Sequence, residues 1–292
     1  MTVRTWLHER VGKGPIIVAP GVVDALSAKI AWQVGFEALY MTGYGVAATF
    51  GKPDLGLLTM VEVVERAKQI TSATDAPVIV DADEGYGNVL NLIRTVREFE
   101  RAGVAAIQLE DQVYPKKCGS YSGKRLITPE EMCGKIKAAV DTRTDPDFLI
   151  IARTDAAEPE GLDAAIDRAV RYAEAGADLL LALGYLDTAG LQRFIDELPI
   201  AVMVTKVERD RTKEYHTPPP LKVPQLSSMG VRLVVLPLSG VLCSAYALRK
   251  AYLAIKDGTD EDLVTTMYSW EEMNELTGLP EFQLAEQKYG TG

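Results

Sequence analysis

Gly103-Val104-Ala105-Ala106-Ile107-Gln108-Leu109-Glu110-Asp111 decides the reading of this chain. Its glycine closes an amphipathic stretch, an apolar run follows, and the run stops abruptly at two carboxylates. Glycine tolerates the left-handed backbone that ends a helix, and an uninterrupted apolar run suits a parallel strand covered on both faces. The same order recurs with Gly35 before Ala38-Leu39-Tyr40-Met41, Gly176 before Leu179-Leu180-Leu181 and Gly230 before Leu233-Val234-Val235-Leu236. Four further runs have a proline at or just before their start: Pro15 before Ile16-Ile17-Val18, Pro77 before Val78-Ile79-Val80, Pro146 before Phe148-Leu149-Ile150-Ile151, and Pro199 before Ile200-Ala201-Val202-Met203-Val204. A proline there removes no ladder hydrogen bond.

Eight strands result. Stretches with helical spacing separate most of them, among them residues 60–72, 89–101, 130–140 and 162–175. Regular alternation predicts a (β/α)8 TIM-type barrel over residues 1–257, with its last helix at 241–256. Three short helical pieces within 260–288 predict a C-terminal helical extension, 258–292, packed on the barrel or on a neighbouring subunit. An open doubly wound sheet is the competing architecture, but no glycine-rich phosphate loop follows any strand, and Gly43-Tyr44-Gly45 does not fit the dinucleotide pattern. The proline-rich stretch 212–224 is longer than a usual βα loop and reads as a lid or an oligomer contact.

Composition narrows the partners. At 292 residues, 47% hydrophobic and 25% charged, the chain buries a large core. No apolar run approaches the roughly 20 residues that span a bilayer, and the first residues lack the apolar stretch of a signal peptide, so a cytoplasmic location is expected. The net charge of −10 argues against nucleic acid and an anionic membrane as partners. Cys118, Cys133 and Cys243 are too far apart for a disulfide framework or a zinc pattern. Cys133 and Cys243 fall in helical stretches and read as core thiols.

Chemistry on a barrel sits at the carboxyl ends of its strands. Strand two ends in Thr42-Gly43-Tyr44-Gly45, strand three in Asp81-Ala82-Asp83-Glu84-Gly85-Tyr86-Gly87, strand four in Glu110-Asp111 and strand five in Arg153-Thr154-Asp155. Acids converging on one mouth repel unless a cation sits among them. Asp81, Asp83 and Glu110 are therefore candidates for an Mg2+ site completed by water, with Mn2+ as a substitute. Arg153 suits bidentate capture of a substrate carboxylate, or pairing with an acid of the mouth. Asp111 and Asp155 read as helix caps or turn formers. Cys118, in a polar loop between lysines and a glycine, is a thiol placed for proton transfer or attack. His8 and His216 stand at no strand end, so neither a histidine triad nor a histidine-held metal is expected.

At these residues the chain resembles the isocitrate lyase/phosphoenolpyruvate mutase superfamily. The match runs from Pro20-Gly21-Val22-Val23-Asp24-Ala25 through the strand-three and strand-four ends, Lys117-Cys118-Gly119 and Ala152-Arg153-Thr154-Asp155-Ala156, to Pro237-Leu238-Ser239-Gly240. The resemblance implies a barrel enzyme, a homotetramer with a C-terminal helix exchanged between subunits, and Mg2+ acting on a small 2-hydroxy or 2-oxo acid. It implies that Asp54, Asp81, Asp83 and Glu110 are the metal-site acids, with Asp81 the direct ligand. Thr42, Gly43, Tyr44 and Arg153 then hold the substrate's carboxylate, with Gly119 and Ser120 beside them on the gating loop. Cys118 matches the cysteine of the lyase branch, and Lys116, Lys117 and Lys124 supply positive potential.

The implied reaction is retro-aldol cleavage, with Cys118 protonating the carbanion and Tyr40 or a metal-bound hydroxide as base. The second half departs from the pattern. The strand-six glutamate is replaced by an apolar residue, Leu183, and the strand-seven Asn-Met-x-Glu gives way to Val202-Met203-Val204-Thr205. These changes predict a more apolar wall and a substrate shifted toward an alkyl group. The expectation is an Mg2+-dependent carbon–carbon lyase of the methylisocitrate/dimethylmalate type. Its rivals are an oxaloacetate decarboxylase, a carboxyphosphonoenolpyruvate-type phosphonomutase and a non-catalytic barrel that binds a 2-oxo acid.

Overall fold

The computed structural model describes residues 1–182, 186–206 and 221–290. In chain order the elements are α1 (Val3–Gly12), β1 (Ile17–Val22), α2 (Ala25–Val34), β2 (Leu39–Met41), α3 (Gly43–Thr49), α4 (Met60–Thr71), β3 (Val78–Asp81), α5 (Val89–Arg101), β4 (Ala106–Glu110) and α6 (Pro129–Thr142). They continue with β5 (Leu149–Thr154), α7 (Leu162–Glu174), β6 (Leu179–Ala182), α8 (Thr188–Glu197), β7 (Met203–Thr205), α9 (Val223–Ser228), β8 (Leu233–Leu236) and α10 (Ser239–Asp257). A 3-10 turn (Asp260–Thr265), α11 (Trp270–Thr277) and α12 (Leu279–Tyr289) complete the chain.

The eight strands are parallel and ordered β6-β5-β4-β3-β2-β1-β8-β7, and the single parallel bridge Leu180–Val202 joins the two ends. This is the expected (β/α)8 barrel. The four glycine stops adopt the left-handed backbone, with φ of 101° at Gly35, 81° at Gly103, 105° at Gly176 and 99° at Gly230. At Gly21 the constraint is contact instead: a Cβ there would lie 2.1 Å from the carbonyl oxygen of Pro237, where β1 and β8 run side by side.

Two apolar layers follow from strand alternation. Outward residues such as Val80, Ile107, Ile150 and Leu180 pack against α4 to α7. Inward residues such as Ile79, Ala106, Ile151, Leu179 and Met203 fill the barrel, where Leu7 and Val11 of α1 join them. Arg4 fastens α1 by donating to the carbonyl of Val104 and to Asp145, both at 3.0 Å. Neither α1 nor α3 was expected from the sequence. No helix among the described residues is long and apolar enough to cross a membrane.

Contacts divide the chain into two compact units, Met1–Val241 and Leu242–Gly292. The division falls inside α10, a helix none of whose side chains is buried. Leu242, Tyr246, Leu248, Tyr252, Leu253 and Ile255 all stand exposed along it. Cys243 is exposed and so is not the core thiol expected, whereas half-buried Cys133 packs against the edge of the core. Of the proline-rich stretch 212–224, residues 212–220 lie outside the described residues, as do His216 and Leu183; Val223 and Pro224 open α9.

Candidate functional site

The inward positions of β2 to β5 change character toward their carboxyl ends. Tyr40, Asp81, Gln108, Glu110 and Arg153 replace the aliphatic side chains below them, and register places Asp81 beside Gln108 and Glu110 beside Arg153. Asp81, Asp83, Glu110, Asp155, Arg153 and Asp54 are all buried. Asp54 arrives from the loop between α3 and α4, and Lys116 from the loop after β4. The Lys116 ammonium bridges Asp54 at 2.6 Å and Asp83 at 2.7 Å. Burial alone would depress this lysine, but Asp83, Glu110, Asp54 and Asp81 together hold it well above the ordinary range.

Arg153 uses Nε and one terminal nitrogen to grip Asp155 at 3.0 Å each, and reaches Glu110 with the other at 3.0 Å. Its hydrogen bonds go to Asp155, and the Glu110 contact is an ion pair. The arginine thus pairs with acids of the mouth as well as facing it. Gln108 donates to Asp81 at 3.3 Å and accepts from the Tyr40 hydroxyl at 3.2 Å. Burial, then Asp81, pushes the Tyr40 phenol well above its usual range. In this arrangement the Tyr40 hydroxyl donates its proton in a hydrogen bond to Gln108.

The reading of Asp111 and Asp155 is corrected. Thr128 caps α6 and Gly161 precedes α7, so neither acid caps a helix. Asp111 is fully buried and accepts from the Thr154 hydroxyl (2.7 Å), the Asp155 backbone (2.9 Å) and the Tyr172 hydroxyl (2.8 Å). It holds the end of β5 against β4, a cross-strand role that a single stretch of sequence does not display.

Burial, opposed by Lys116 and reinforced by Asp81 and Asp54, pushes Asp83 up to about 7. Burial likewise holds Glu110 well above the carboxylate range, with Arg153 opposing. The mouth gathers the carboxyls of Asp54, Asp81, Asp83, Glu110 and Asp155 around Lys116 and Arg153, under cover. Glu110 Oε1 has no partner, and Gly43 leaves open the space beside Asp81, where a Cβ would lie 3.0 Å from Oδ2. Such a set of hard oxygen donors fits a divalent cation. Among the described residues no three acidic, histidine or cysteine side chains already surround one point, because Lys116 and Arg153 occupy several of the oxygens. Few direct protein ligands and several waters is the way Mg2+ is usually held.

Thr42 caps the short α3, accepting from Gly45 N at 3.3 Å, which brings Gly43 and Tyr44 to the rim. Cys118 is half-buried, and its backbone N–H donates to the Asp54 carbonyl at 3.1 Å. Burial, then the Asp54 charge, pushes its thiol up to about 11, against Lys116 and Arg153. Gly119 is half-buried and Ser120 exposed next to it. Lys117 does not reach the mouth: its ammonium lies on the Gly123 carbonyl at 3.1 Å. Lys124 pairs with Glu158 instead. Thr205 ends β7 half-buried, and the inward residues beside it, Leu181, Met203 and Val235, are buried and apolar. Sequence reading missed Lys116 as a bridge and Gln112 as a buried contact; the lysine pair beside a cysteine was the only signal for the former.

A family model described as phosphoenolpyruvate phosphomutase matches residues 4–256. The chain is 44% identical over 288 residues to a 2,3-dimethylmalate lyase of Eubacterium barkeri, covering 98% of each. It is 40% identical over 278 residues to a 2-methylisocitrate lyase of Aeropyrum pernix, covering 95% of this chain and 88% of that one. A solved phosphoenolpyruvate phosphomutase from Streptomyces platensis subsp. rosaceus superposes with a TM-score of 0.91 at 31% identity, covering 99% of both chains. A phosphonopyruvate hydrolase solved with oxalate and Mg2+ superposes at 0.88 with 28% identity over the whole of both chains. The chain belongs to the phosphoenolpyruvate phosphomutase family and is an enzyme of the PEP mutase/isocitrate lyase superfamily.

Proposed function

We propose that this enzyme is a divalent-cation-dependent carbon–carbon lyase that cleaves a small, alkylated 2-hydroxy dicarboxylate of the 2,3-dimethylmalate type. The observation that carries the reading is the division of the mouth. Acids, Lys116 and Arg153 stand on the β2 to β5 side, while at the same level β6 and β8 present the apolar inward residues Leu181, in register with Arg153, and Val235, in register with Thr205. A substrate with carboxylates at one end and methyl groups at the other matches both walls. The 44% identity to a 2,3-dimethylmalate lyase supports the same choice.

Asp81 would hold Mg2+, or Mn2+, directly, with Asp83, Glu110 and Asp54 around it. When bound, the cation supplies a Lewis acid for the substrate's carboxylate and C2 oxygen. Thr42, Gly43 and Tyr44 at the rim, with the Arg153 guanidinium, receive carboxylate oxygens. The C2 hydroxyl gives its proton to a carboxylate of the mouth, the C2–C3 bond breaks, and its electron pair goes to C3. C2 becomes the carbonyl carbon of the 2-oxo acid. Cys118 then gives its proton to C3, completing the second carboxylate product. A thiol pushed up to about 11 keeps its proton at neutral pH and is suited to donate it. Gly119 and Ser120 bring that loop over the substrate, and Lys117 braces the loop. Thr205 ends β7 on the side of the apolar residues; Leu183, expected there from the sequence, lies outside the described residues. From 2,3-dimethylmalate the products are pyruvate and propionate.

The exposed apolar face of α10 supports the companion proposal of a homotetramer, which light scattering tests; a cytoplasmic setting belongs to the same reading. For the activity, the protein is incubated with Mg2+ and, in turn, 2,3-dimethylmalate, 2-methylisocitrate, oxaloacetate and phosphonopyruvate, and 2-oxo acid release is followed. The expected result is turnover of the alkylated hydroxy acid, stopped by chelator, with Cys118→Ala lowering kcat by about 100-fold or more. Turnover confined to oxaloacetate or phosphonopyruvate, or unchanged in Cys118→Ala, refutes the proposal. Ligand binding without turnover of any of them identifies a binding barrel instead.

A further inference from the structure

We infer that Gln112 is a positioning residue that couples the Cys118 loop to the Arg153–Asp155 pair. Gln112 stands just past β4 and is 1% exposed. Its backbone closes the stem of the loop through an antiparallel bridge to Leu126, and Val113 N donates to the Arg125 carbonyl at 2.8 Å. The side chain then reaches across the loop it closes. Oε1 accepts from Lys117 N at 2.9 Å, and Nε2 donates to the Lys117 carbonyl at 2.9 Å. One amide thus reads both polar groups of the residue beside Cys118, the exchange that a neighbouring strand would supply. The orientation of the amide follows from its partners, since a backbone N–H requires an oxygen opposite it.

The second N–H of Nε2 points the other way, to Asp155 Oδ2 at 3.3 Å. That same oxygen receives Nε of Arg153 at 3.0 Å. An unbroken path of hydrogen bonds therefore runs from the Lys117 peptide through Gln112 and Asp155 to Arg153. A carboxylate arriving at Arg153 competes with Asp155 for guanidinium donors, and any adjustment of Asp155 is felt at Gln112 and hence beside the thiol. Donor and acceptor on one short, uncharged side chain are both needed here. Glutamate in this place would lose the bond to the Lys117 carbonyl and repel Asp155, whereas methionine would keep the volume and lose every polar contact.

The functional meaning of the coupling rests on the proposed role of Cys118, but its test does not need turnover. Iodoacetamide alkylation of Cys118 is followed by peptide mass spectrometry in the wild type, Gln112→Met and Gln112→Glu, with and without oxalate and Mg2+. Half-buried Cys133 on α6 is the internal reference. Loss of a buried amide's bonds predicts that alkylation of Cys118 in resting Gln112→Met rises about fivefold or more while Cys133 is unchanged. Oxalate with Mg2+ should slow alkylation in the wild type, and this protection should shrink below about twofold in the variant although calorimetry still detects oxalate binding. If Gln112→Met does not fold, Gln112→Glu carries the same expectations. Unchanged Cys118 rates, a parallel rise at Cys133, absence of protection in the wild type, or protection retained in the variants each overturns the inference. Lack of turnover on every substrate, with the alkylation pattern as expected, would sink the lyase proposal alone.

Discussion

Lys116→Met isolates the contribution of the ammonium buried between two acids. The substitution keeps most of the side-chain volume and removes the charge that meets Asp54 at 2.6 Å and Asp83 at 2.7 Å. Lys116 is 2% exposed and both acids are buried, so solvent cannot take over. Removing one partner of a buried pair costs about 3–5 kcal/mol, because the remaining charge is left uncompensated. Local relaxation and water entry favour the lower end, about 3 kcal/mol. In a domain of this size that corresponds to a fall in Tm of roughly 6–10 °C. Mg2+ should recover more stability in the variant than in the wild type, since the freed oxygens gain a second cation. Circular dichroism melts of both proteins, with chelator and with Mg2+, measure the two quantities. A fall of less than about 2 °C would mean that the bridge contributes almost nothing net. A fall that Mg2+ leaves untouched would mean that the freed acids do not face a cation site.

Two further changes probe other levels of the structure. Gly43→Ala puts a methyl group 3.0 Å from Asp81 Oδ2 and 3.3 Å from Asp83 Oδ1; the carboxylates must turn aside, so Mg2+ affinity by calorimetry should drop about tenfold with little change in Tm, and unchanged affinity would refute the placement. Thr59→Ala removes the capping box of α4, in which Glu62 accepts from Thr59 N at 2.7 Å and Thr59 Oγ1 at 2.8 Å, and should cost about 1 kcal/mol. The bonds from residue 59, backbone first and hydroxyl second, hold Glu62 below its usual range; the backbone bond survives the substitution, and the hydroxyl's share is present above about pH 4.3 and disappears as pH falls through the depressed value. Melts at pH 7 and pH 3 should therefore show the gap between wild type and variant narrowing in acid; a constant gap counts against the box.

What the sequence made legible is what local rules govern. A glycine stop followed by an apolar run defined β2, β4, β6 and β8, because helix termination and strand burial both depend on adjacent residues. Asp81, Asp83, Glu110 and Arg153 were visible as charges that interrupt such runs. Asp54 was reachable only by resemblance, since it lies in a loop with no pattern of its own. The Lys116 bridge required knowing that the loop after β4 folds back on the loop after α3, a contact between distant segments. Asp111 was misread because the same residue type serves turns and buried networks, and only its partners Thr154 and Tyr172 tell them apart. The short α3 hid behind Gly43 and Gly45, which read as loop residues although Thr42 caps them into a helix.

The division of the barrel mouth also bears on how such a protein can change. At the carboxyl ends of the strands, groups that handle charge arise from β2 to β5 and their loops, whereas β6 and β8 present Leu181 and Val235. A substitution on one arc leaves the hydrogen bonds of the other intact, so the two can vary at different rates. On the proposed reading, Leu181 and Val235 are the positions at which trimming or enlarging a side chain should change which substrate is admitted. The ancestral bond-breaking apparatus persists unaltered through each intermediate. For directed evolution, libraries confined to that arc should be rich in active members, and libraries on the charged arc poor.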